Sequence, residues 1–314
     1  MTRQPKRVLV AGASGFIGSR LVRRAAAEGD EVRALVREGT DLRRLEAAPE
    51  HGLIRGDLSE LGEAAREIAA FAPEVCLDAA WGDPRGDTPI RSHERSVKDA
   101  LGLARLAIDS GCARYLHIGT CFEYAPTDGL LSEDSPTEPH TAYGRAKLAV
   151  SEGVRRLAEG SVTSVCSPRV FYVYGPFEHP GRLVPSVIRG LLAGERTPTT
   201  AGEQIRDYMH VDDVASAIRA AAECDHEGPL NIASGHAGPV RTVVLTIARL
   251  IGREDLLDVG ALPYRPEEPP SIRPDTARLR ALGWTPSWSL ERGLADTIEW
   301  WRGPPGAPRS AGAE

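Results

Sequence analysis

The feature that most constrains this chain stands near its N-terminus. An apolar run, Val8-Leu9-Val10-Ala11, leads into Gly12-Ala13-Ser14-Gly15-Phe16-Ile17-Gly18, and a helical pattern follows. Glycines at this spacing let a backbone turn tightly and approach a second group closely. The helix that follows offers unpaired N–H groups and the positive end of its dipole, which suits a pyrophosphate. A lone glycine motif is weak, and a strand–helix turn can bind nothing. Here the first strand and the first helix supply the context that makes it a dinucleotide site. Gly12, Ser14, Gly15, Phe16, Ile17 and Gly18 are therefore expected to line the cofactor.

Hydrophobic periodicity extends this start into a fold class. Residues 7–11, 31–36, 52–55, 75–79, 114–118 and 162–166 read as strands, alternating with helical patterns such as 16–28 and 93–110. Such alternation implies a parallel sheet with helices on both faces. The expected architecture is α/β: a Rossmann-type doubly wound parallel sheet with a smaller mixed C-terminal substrate lobe. Past residue 170 the pattern loosens. Helices are expected at 184–193, 210–222, 242–251 and 290–301, a short strand at 229–232, and a proline-rich loop at 263–274. The division that follows is a dinucleotide-binding domain over 1–170, completed by about 210–233, and a substrate lobe from 171–209 and 234–302. Residues 303–314 read as a disordered tail.

Composition excludes several classes. The net charge of −6 argues against a duplex nucleic-acid binder, which needs a basic face. No run approaches the roughly 18 apolar residues of a membrane span, and the N-terminus carries no signal-cleavage pattern. The five cysteines are scattered without a CxxC, which suits a cytoplasmic protein without zinc. No metal is expected.

The end of the second strand bears on the cofactor. NAD enzymes place an acidic residue there for the adenosine ribose. This chain has Val36 at that position and Arg37 next to it. Arg37 either pairs with a 2′-phosphate or is a solvated surface charge. NADP(H) is accordingly expected over NAD(H). Asp57-Leu58, after the third strand, either meets the adenine or caps a helix.

Tyr143 and Lys147 lie four apart at the start of a helical pattern, hence on one face. An ammonium near a phenol favours the phenolate. The pair can thus move the proton that accompanies hydride transfer. With only three lysines in the chain (Lys6, Lys98 and Lys147), about 0.07 such pairs are expected by chance. Arg could not replace Lys147, because its pKa and planar shape differ. Thr120, at the end of the fifth strand, is either an oxyanion-type donor or a plain turn residue.

Together these residues resemble the extended short-chain dehydrogenase/reductase family, in its nucleotide-sugar epimerase/dehydratase/ketoreductase branch. The likeness runs through Gly12–Gly18, Thr120 and Tyr143/Lys147 to Arg169-Val-Phe-Tyr-Val-Tyr-Gly-Pro176, similar to an RxxNxYGP segment. It continues in Arg206-Asp207, Val211-Asp212-Asp213 and Leu282-Gly-Trp-Thr-Pro286. The resemblance implies a small-molecule substrate, a nucleotide sugar, with Arg206 and Arg265 on its diphosphate and Arg182 and Leu183 near its base. It implies that Ala79, Ala80 and Pro168 face the cofactor and that Asp213 is structural. It also implies a homodimer through helices near 93–110 and 142–157.

The departures narrow the chemistry. Sugar 4,6-dehydratases follow the Thr with an Asp-Glu pair that eliminates water, and here Cys121-Phe122 stand in those places. Tyr172 replaces the Asn of RxxNxYGP, and Asp78 and Trp81 replace a His and a small residue. Trp81, Cys121, Phe122 and Tyr172 are expected to line the substrate pocket. The expected function is NADPH-dependent reduction of a keto group, at C4, on a nucleotide-linked keto-deoxyhexose. An epimerase with tightly held NAD, a reductase of a non-nucleotide carbonyl compound and a cofactor-binding module without turnover are the competing readings.

Overall fold

The computed structural model describes residues 4–46, 52–82, 90–266 and 268–303. Seven strands run parallel through one sheet: β1 (Arg7–Ala11), β2 (Glu31–Val36), β3 (Gly52–Arg55), β4 (Val75–Asp78), β5 (Arg114–His117), β6 (Ser164–Val170) and β7 (Gly228–Ile232). Their spatial order is β7-β6-β5-β4-β1-β2-β3, and the short strand Gly119–Thr120 pairs with β6 as an eighth member. The order reverses between β1 and β4, so a crevice opens at the carboxyl ends of those strands. The glycine-rich turn lies there.

Alternation along β1 builds both faces. Val8 and Val10 pack with Leu21, Val22 and Ala25 of α1 (Phe16–Ala27) and Val214 and Ile218 of α6 (Val211–Glu223). Leu9 and Ala11 face the other way. They pack with Ile68 of α2 (Gly62–Phe71), Leu103 of α3 (Ile90–Asp109) and Val150 and Val154 of α4 (Ala142–Ala158). A separate core lies under the C-terminal lobe. It joins Val184, Ile188 and Leu191 of α5 (Leu183–Leu192), Val244 and Ile247 of α7 (Val240–Ile251), and Leu294 and Ile298 of α9 (Leu290–Arg302). The short α8 (Ala277–Ala281) adds Leu279 to the first core.

Most expected elements appear within two residues of their bounds. The sixth strand starts later, at Ser164, because Val162 is exposed and the Ser161 hydroxyl accepts from the Thr163 amide at 3.1 Å, holding a turn there. The segment between α5 and α6 carries three short strands, Thr197–Thr199, Ile205–Arg206 and Tyr208–His210, where no strand was expected. The expected tail lies outside the described residues from 304 onward. No helix among the described residues is long and apolar enough to cross a membrane.

Candidate active site

The glycines of the first turn are required by contact. Gly12 has φ +67°, and a Cβ there would stand 2.7 Å from the backbone of Ala79 and Ala80. A Cβ on Gly18 would stand 2.1 Å from the Gly12 carbonyl oxygen. The turn therefore lies flat against the end of β4, with Ala79 and Ala80 half-buried beside it. Gly15 caps α1 without a side chain, and the first turn of the helix holds no acidic residue, so its N–H groups remain open to an anion. These residues fit a dinucleotide pyrophosphate.

At the adenine end, Arg37 is exposed at the end of β2 and its charge acts on Asp57. Asp57 accepts from the Ser59 amide at 2.9 Å and the Ser59 hydroxyl at 2.6 Å, and these bonds hold its carboxyl below the usual range. It makes a turn ahead of α2, whose N-cap is Leu61, so it does not cap that helix. Arg95 approaches it at 4.0 Å. Leu58 packs against the core beneath α2 and α3.

The chemistry-bearing side chains gather at the ends of β4 and β5. Thr120 caps a single turn of 3-10 helix at Cys121–Glu123, its hydroxyl accepting from the Phe122 amide at 3.4 Å. Glu123 returns the bond, accepting from the Thr120 amide at 2.8 Å. Glu123 is fully buried and paired with Arg169 of β6 at 2.9 Å. Two charges thus serve to fix one hydroxyl.

Tyr143 enters from the first turn of α4, whose N-cap Thr141 accepts from the Gly144 amide at 3.0 Å. A Cβ on Gly144 would stand 2.1 Å from the Phe122 carbonyl oxygen, so the helix rests directly on the Thr120 turn. Removal from water pushes the Tyr143 phenol well up, with Cys121 and Glu123 adding to it and a hydrogen bond with Thr120 opposing it. The expected depression by Lys147 is not found: Cys121, Glu123, Thr120 and Arg182 are the groups that act on the phenol, and in this cleft it is held neutral.

Lys147, one turn on, is 4% exposed and donates to the Ile118 carbonyl at 2.8 Å. Its Nζ lies 4.0 Å from the centre of the Trp81 ring. Burial lowers its pKa to about 8, with Asp78 and Glu123 opposing the shift. Asp78 is itself buried, 2.8 Å from His117 Nδ1, and accepts from the Tyr115 hydroxyl at 3.3 Å. Trp81 Nε1, His93 Nδ1 and His117 Nε2 are buried without a hydrogen-bond partner. The Trp81 and His93 rings lie 5.8 and 6.1 Å from that of Tyr143. The wall beside the phenol therefore presents unsatisfied nitrogen atoms to whatever polar group enters.

The other wall is aromatic. Phe122 stands 6.4 Å from Tyr143 and 6.3 Å from Tyr172, and Tyr172 stands 5.5 Å from Tyr208. Burial pushes the Cys121 thiol up to about 12. Pro168 is buried within β6. Arg182 caps α5 from an exposed position, and Leu183 packs into the lobe core. Arg206 is buried. It donates to the Ile205 and Pro269 carbonyls at 2.8 and 2.6 Å, pairs with Glu268 at 3.2 Å, and lies over Tyr172. Arg265 is exposed on the following loop. The two arginines differ sharply in setting, and Arg206 has internal partners to exchange before it meets a phosphate. Asp213 accepts from the Ser287 and Trp288 amides and so holds the lobe in place.

Residues 8–233 match the family described as NAD dependent epimerase/dehydratase. The chain belongs to that family, a branch of the extended short-chain dehydrogenases/reductases. It is 27% identical to the dTDP-glucose 4,6-dehydratase of Xanthomonas campestris pv. campestris over 93% of this chain and 92% of that one. Among solved structures it resembles MoeE5 in complex with UDP-glucuronic acid and NAD, at 32% identity, a TM-score of 0.81, and 94% and 99% coverage of the two chains. The UDP-glucose 4-epimerase of Thermus thermophilus in complex with NAD is 25% identical, with a TM-score of 0.84 and 95% and 99% coverage. The chain is an enzyme of this nicotinamide-dependent oxidoreductase, epimerase and dehydratase group.

Some residues of the site escaped sequence reasoning. Glu123 carried a signal, since Thr-x-x-Glu is a capping box. Gly144 and the Asp78–His117 pair carried none that spacing reveals.

Proposed function

We propose that the chain is an NADPH-dependent ketoreductase that reduces a carbonyl, at C4, of a nucleotide-linked keto-deoxyhexose. The observation that carries this reading is the Thr120 turn. Where a dehydratase needs a carboxylic acid and a carboxylate to remove water, this chain has a buried thiol held protonated and a phenylalanine. The phenylalanine has no proton to exchange, and the thiol, held protonated, cannot serve as the base that a dehydratase needs. What remains is a hydroxyl, a neutral phenol and a lysine, a set suited to protonating an oxygen.

Bound nicotinamide supplies the hydride. Tyr143 gives its proton to the carbonyl oxygen as negative charge develops there, and Thr120 holds that oxygen by a hydrogen bond. Lys147 places a positive charge behind the phenol and stabilises the phenolate left after transfer. Trp81, Phe122 and Tyr172 exclude water and offer flat apolar faces to a sugar ring. Arg206 and Arg265 supply positive charge for a diphosphate, and Arg182 and Leu183 stand where the base would lie. Arg37, with no carboxylate at Val36, favours a 2′-phosphate.

The test is NADPH oxidation by the purified protein with dTDP-4-keto-6-deoxyglucose, set against NADH. Consumption of NADPH, with NADH much poorer, supports the reading. No consumption of either sinks it. The likeness to the Thermus UDP-glucose 4-epimerase favours a second reading, an epimerase that returns the hydride to the opposite face. Stoichiometric NAD released from the denatured protein would favour that one.

A further inference from the structure

The turn between Tyr174 and α5 carries a buried carboxyl that the proposed mechanism does not use. Phe177 is one of two non-glycine residues among those described with a positive φ, +72°. Such a backbone costs a side-chain-bearing residue free energy and persists where neighbouring contacts over-determine it. Those contacts are present. The Phe177 carbonyl accepts from Arg44 at 3.1 Å, and Arg44 also donates to the Ser14 carbonyl of the glycine-rich turn at 3.1 Å. The Phe177 ring lies against Trp300 at 4.7 Å, with Arg20 and Arg44 over it. With Phe177 fixed outward, the next residue turns inward. Glu178 is 7% exposed, its amide donating to the Gly175 carbonyl at 3.2 Å.

Its Oε2 is buried with no hydrogen-bond partner. The one charge among the described residues that acts on it comes from the substrate lobe. Arg182, at the N-cap of α5, is the charge it feels, and Arg182 acts on Tyr143 and Tyr208 as well. Tyr208 in turn feels Glu178 and Tyr172. Tyr172 stands on the strand that leads into this turn, and its ring lies 5.5 Å from that of Tyr208, the phenol on which Glu178 acts. Leaving a carboxyl oxygen buried and unbonded costs about 1–3 kcal/mol, a cost that a ligand hydroxyl can remove. Burial also keeps the group protonated, its pKa raised to about 8, so it can both donate and accept as a hydroxyl requires.

We infer that Glu178 is a substrate-binding residue of this cleft, its carboxyl hydrogen-bonding a hydroxyl of the sugar ring. This rests on the nucleotide-sugar reading above. It assigns the contact to the sugar and not to the nicotinamide, because Arg182, the charge acting on Glu178, belongs to the substrate lobe.

Calorimetric titration separates these contacts. The ligands are UDP and dTDP, then UDP-glucose and dTDP-glucose, then NADP+ alone, against the wild type, Glu178→Gln and Glu178→Leu. Glu178→Leu is expected to weaken the sugar nucleotide that binds by about tenfold while leaving the matching nucleoside diphosphate and NADP+ within about twofold. Glu178→Gln, which keeps a donor and an acceptor, is expected to recover most of the loss. Circular dichroism checks that both variants fold, and Glu178→Gln carries the test alone if Glu178→Leu does not. For that case the expected result is a loss of about twofold to fivefold confined to the sugar nucleotide. Equal loss for diphosphate and sugar nucleotide, loss for NADP+ alone, or no loss overturns the inference. If the wild type binds none of the four nucleotides, the nucleotide-sugar reading itself has failed.

Discussion

The ammonium of Lys147 lies 4.0 Å from the centre of the Trp81 ring, in a cleft that holds its pKa at about 8. The ring face favours the cation. On the proposed mechanism, activity falls as pH rises through about 8, because neutral Lys147 no longer supports the phenolate. Trp81→Leu removes the ring, so the lysine loses its proton more readily and the alkaline limb of the kcat profile moves to lower pH. A limb that stays in place would show that the ring does not act on the ammonium.

Tyr143 is the proposed acid. Tyr143→Phe keeps the ring and deletes only the hydroxyl. The expected result is a loss in kcat of about 10²–10⁴, with NADP+ affinity little changed. Stopped-flow hydride transfer measures the first and calorimetry the second.

Arg37 is proposed to read the 2′-phosphate. Arg37→Ala should weaken NADPH binding by about tenfold to a hundredfold and leave NADH binding unchanged. Parallel loss for both cofactors would argue that the residue merely supports the fold.

The Glu123–Arg169 pair predicts a stability effect. Both side chains are nearly or fully buried, so Glu123→Gln strands a guanidinium charge. Breaking such a pair costs about 3–5 kcal/mol, readable in urea unfolding. Adding Arg169→Met to the same chain should recover part of that loss.

Glu178 predicts a pH effect on stability. Its pKa is raised to about 8 in the folded chain from an ordinary value of 4.5. The unfolded chain therefore loses this proton first as pH rises, while the folded chain still holds it. By linkage, the contribution of this group is fully present below about pH 4.5 and declines until about pH 8. Glu178→Gln has no such proton. Its Tm relative to wild type should rise between about pH 5 and pH 8, by a few degrees. A constant difference across that range would count against the burial described for this carboxyl.

Much of the sheet is legible because each strand of the first half is a short apolar run between turn residues, and its partner helices repeat at 3.6 residues per turn. The strand expected at 162–166 begins too early because apolar character at Val162 is no guide to burial. The Ser161 hydroxyl, accepting from the Thr163 amide, holds that stretch in a turn. Tyr143, Lys147 and Thr120 stand out by residue type and spacing. The electrostatics do not, since the neutral state of Tyr143 depends on how much water the folded walls remove. Likewise Arg206 reads as a free cation in the sequence, while its bond to Glu268 joins residues far apart in the chain.

Gly144 has a role that no side chain performs. Its missing Cβ is what lets α4 come to rest on the Phe122 carbonyl, and Tyr143 is the residue just before that point of contact. The helix has a mechanical stop, and the stop sets the height of the phenol above the Thr120 hydroxyl. Even a methyl group inserted there would act as a shim, lifting the whole reactive pair from its seat. A displacement near ~1 Å is enough to cost about a hundredfold in rate. The spacing between acid and acceptor is thus gauged by backbone touching backbone.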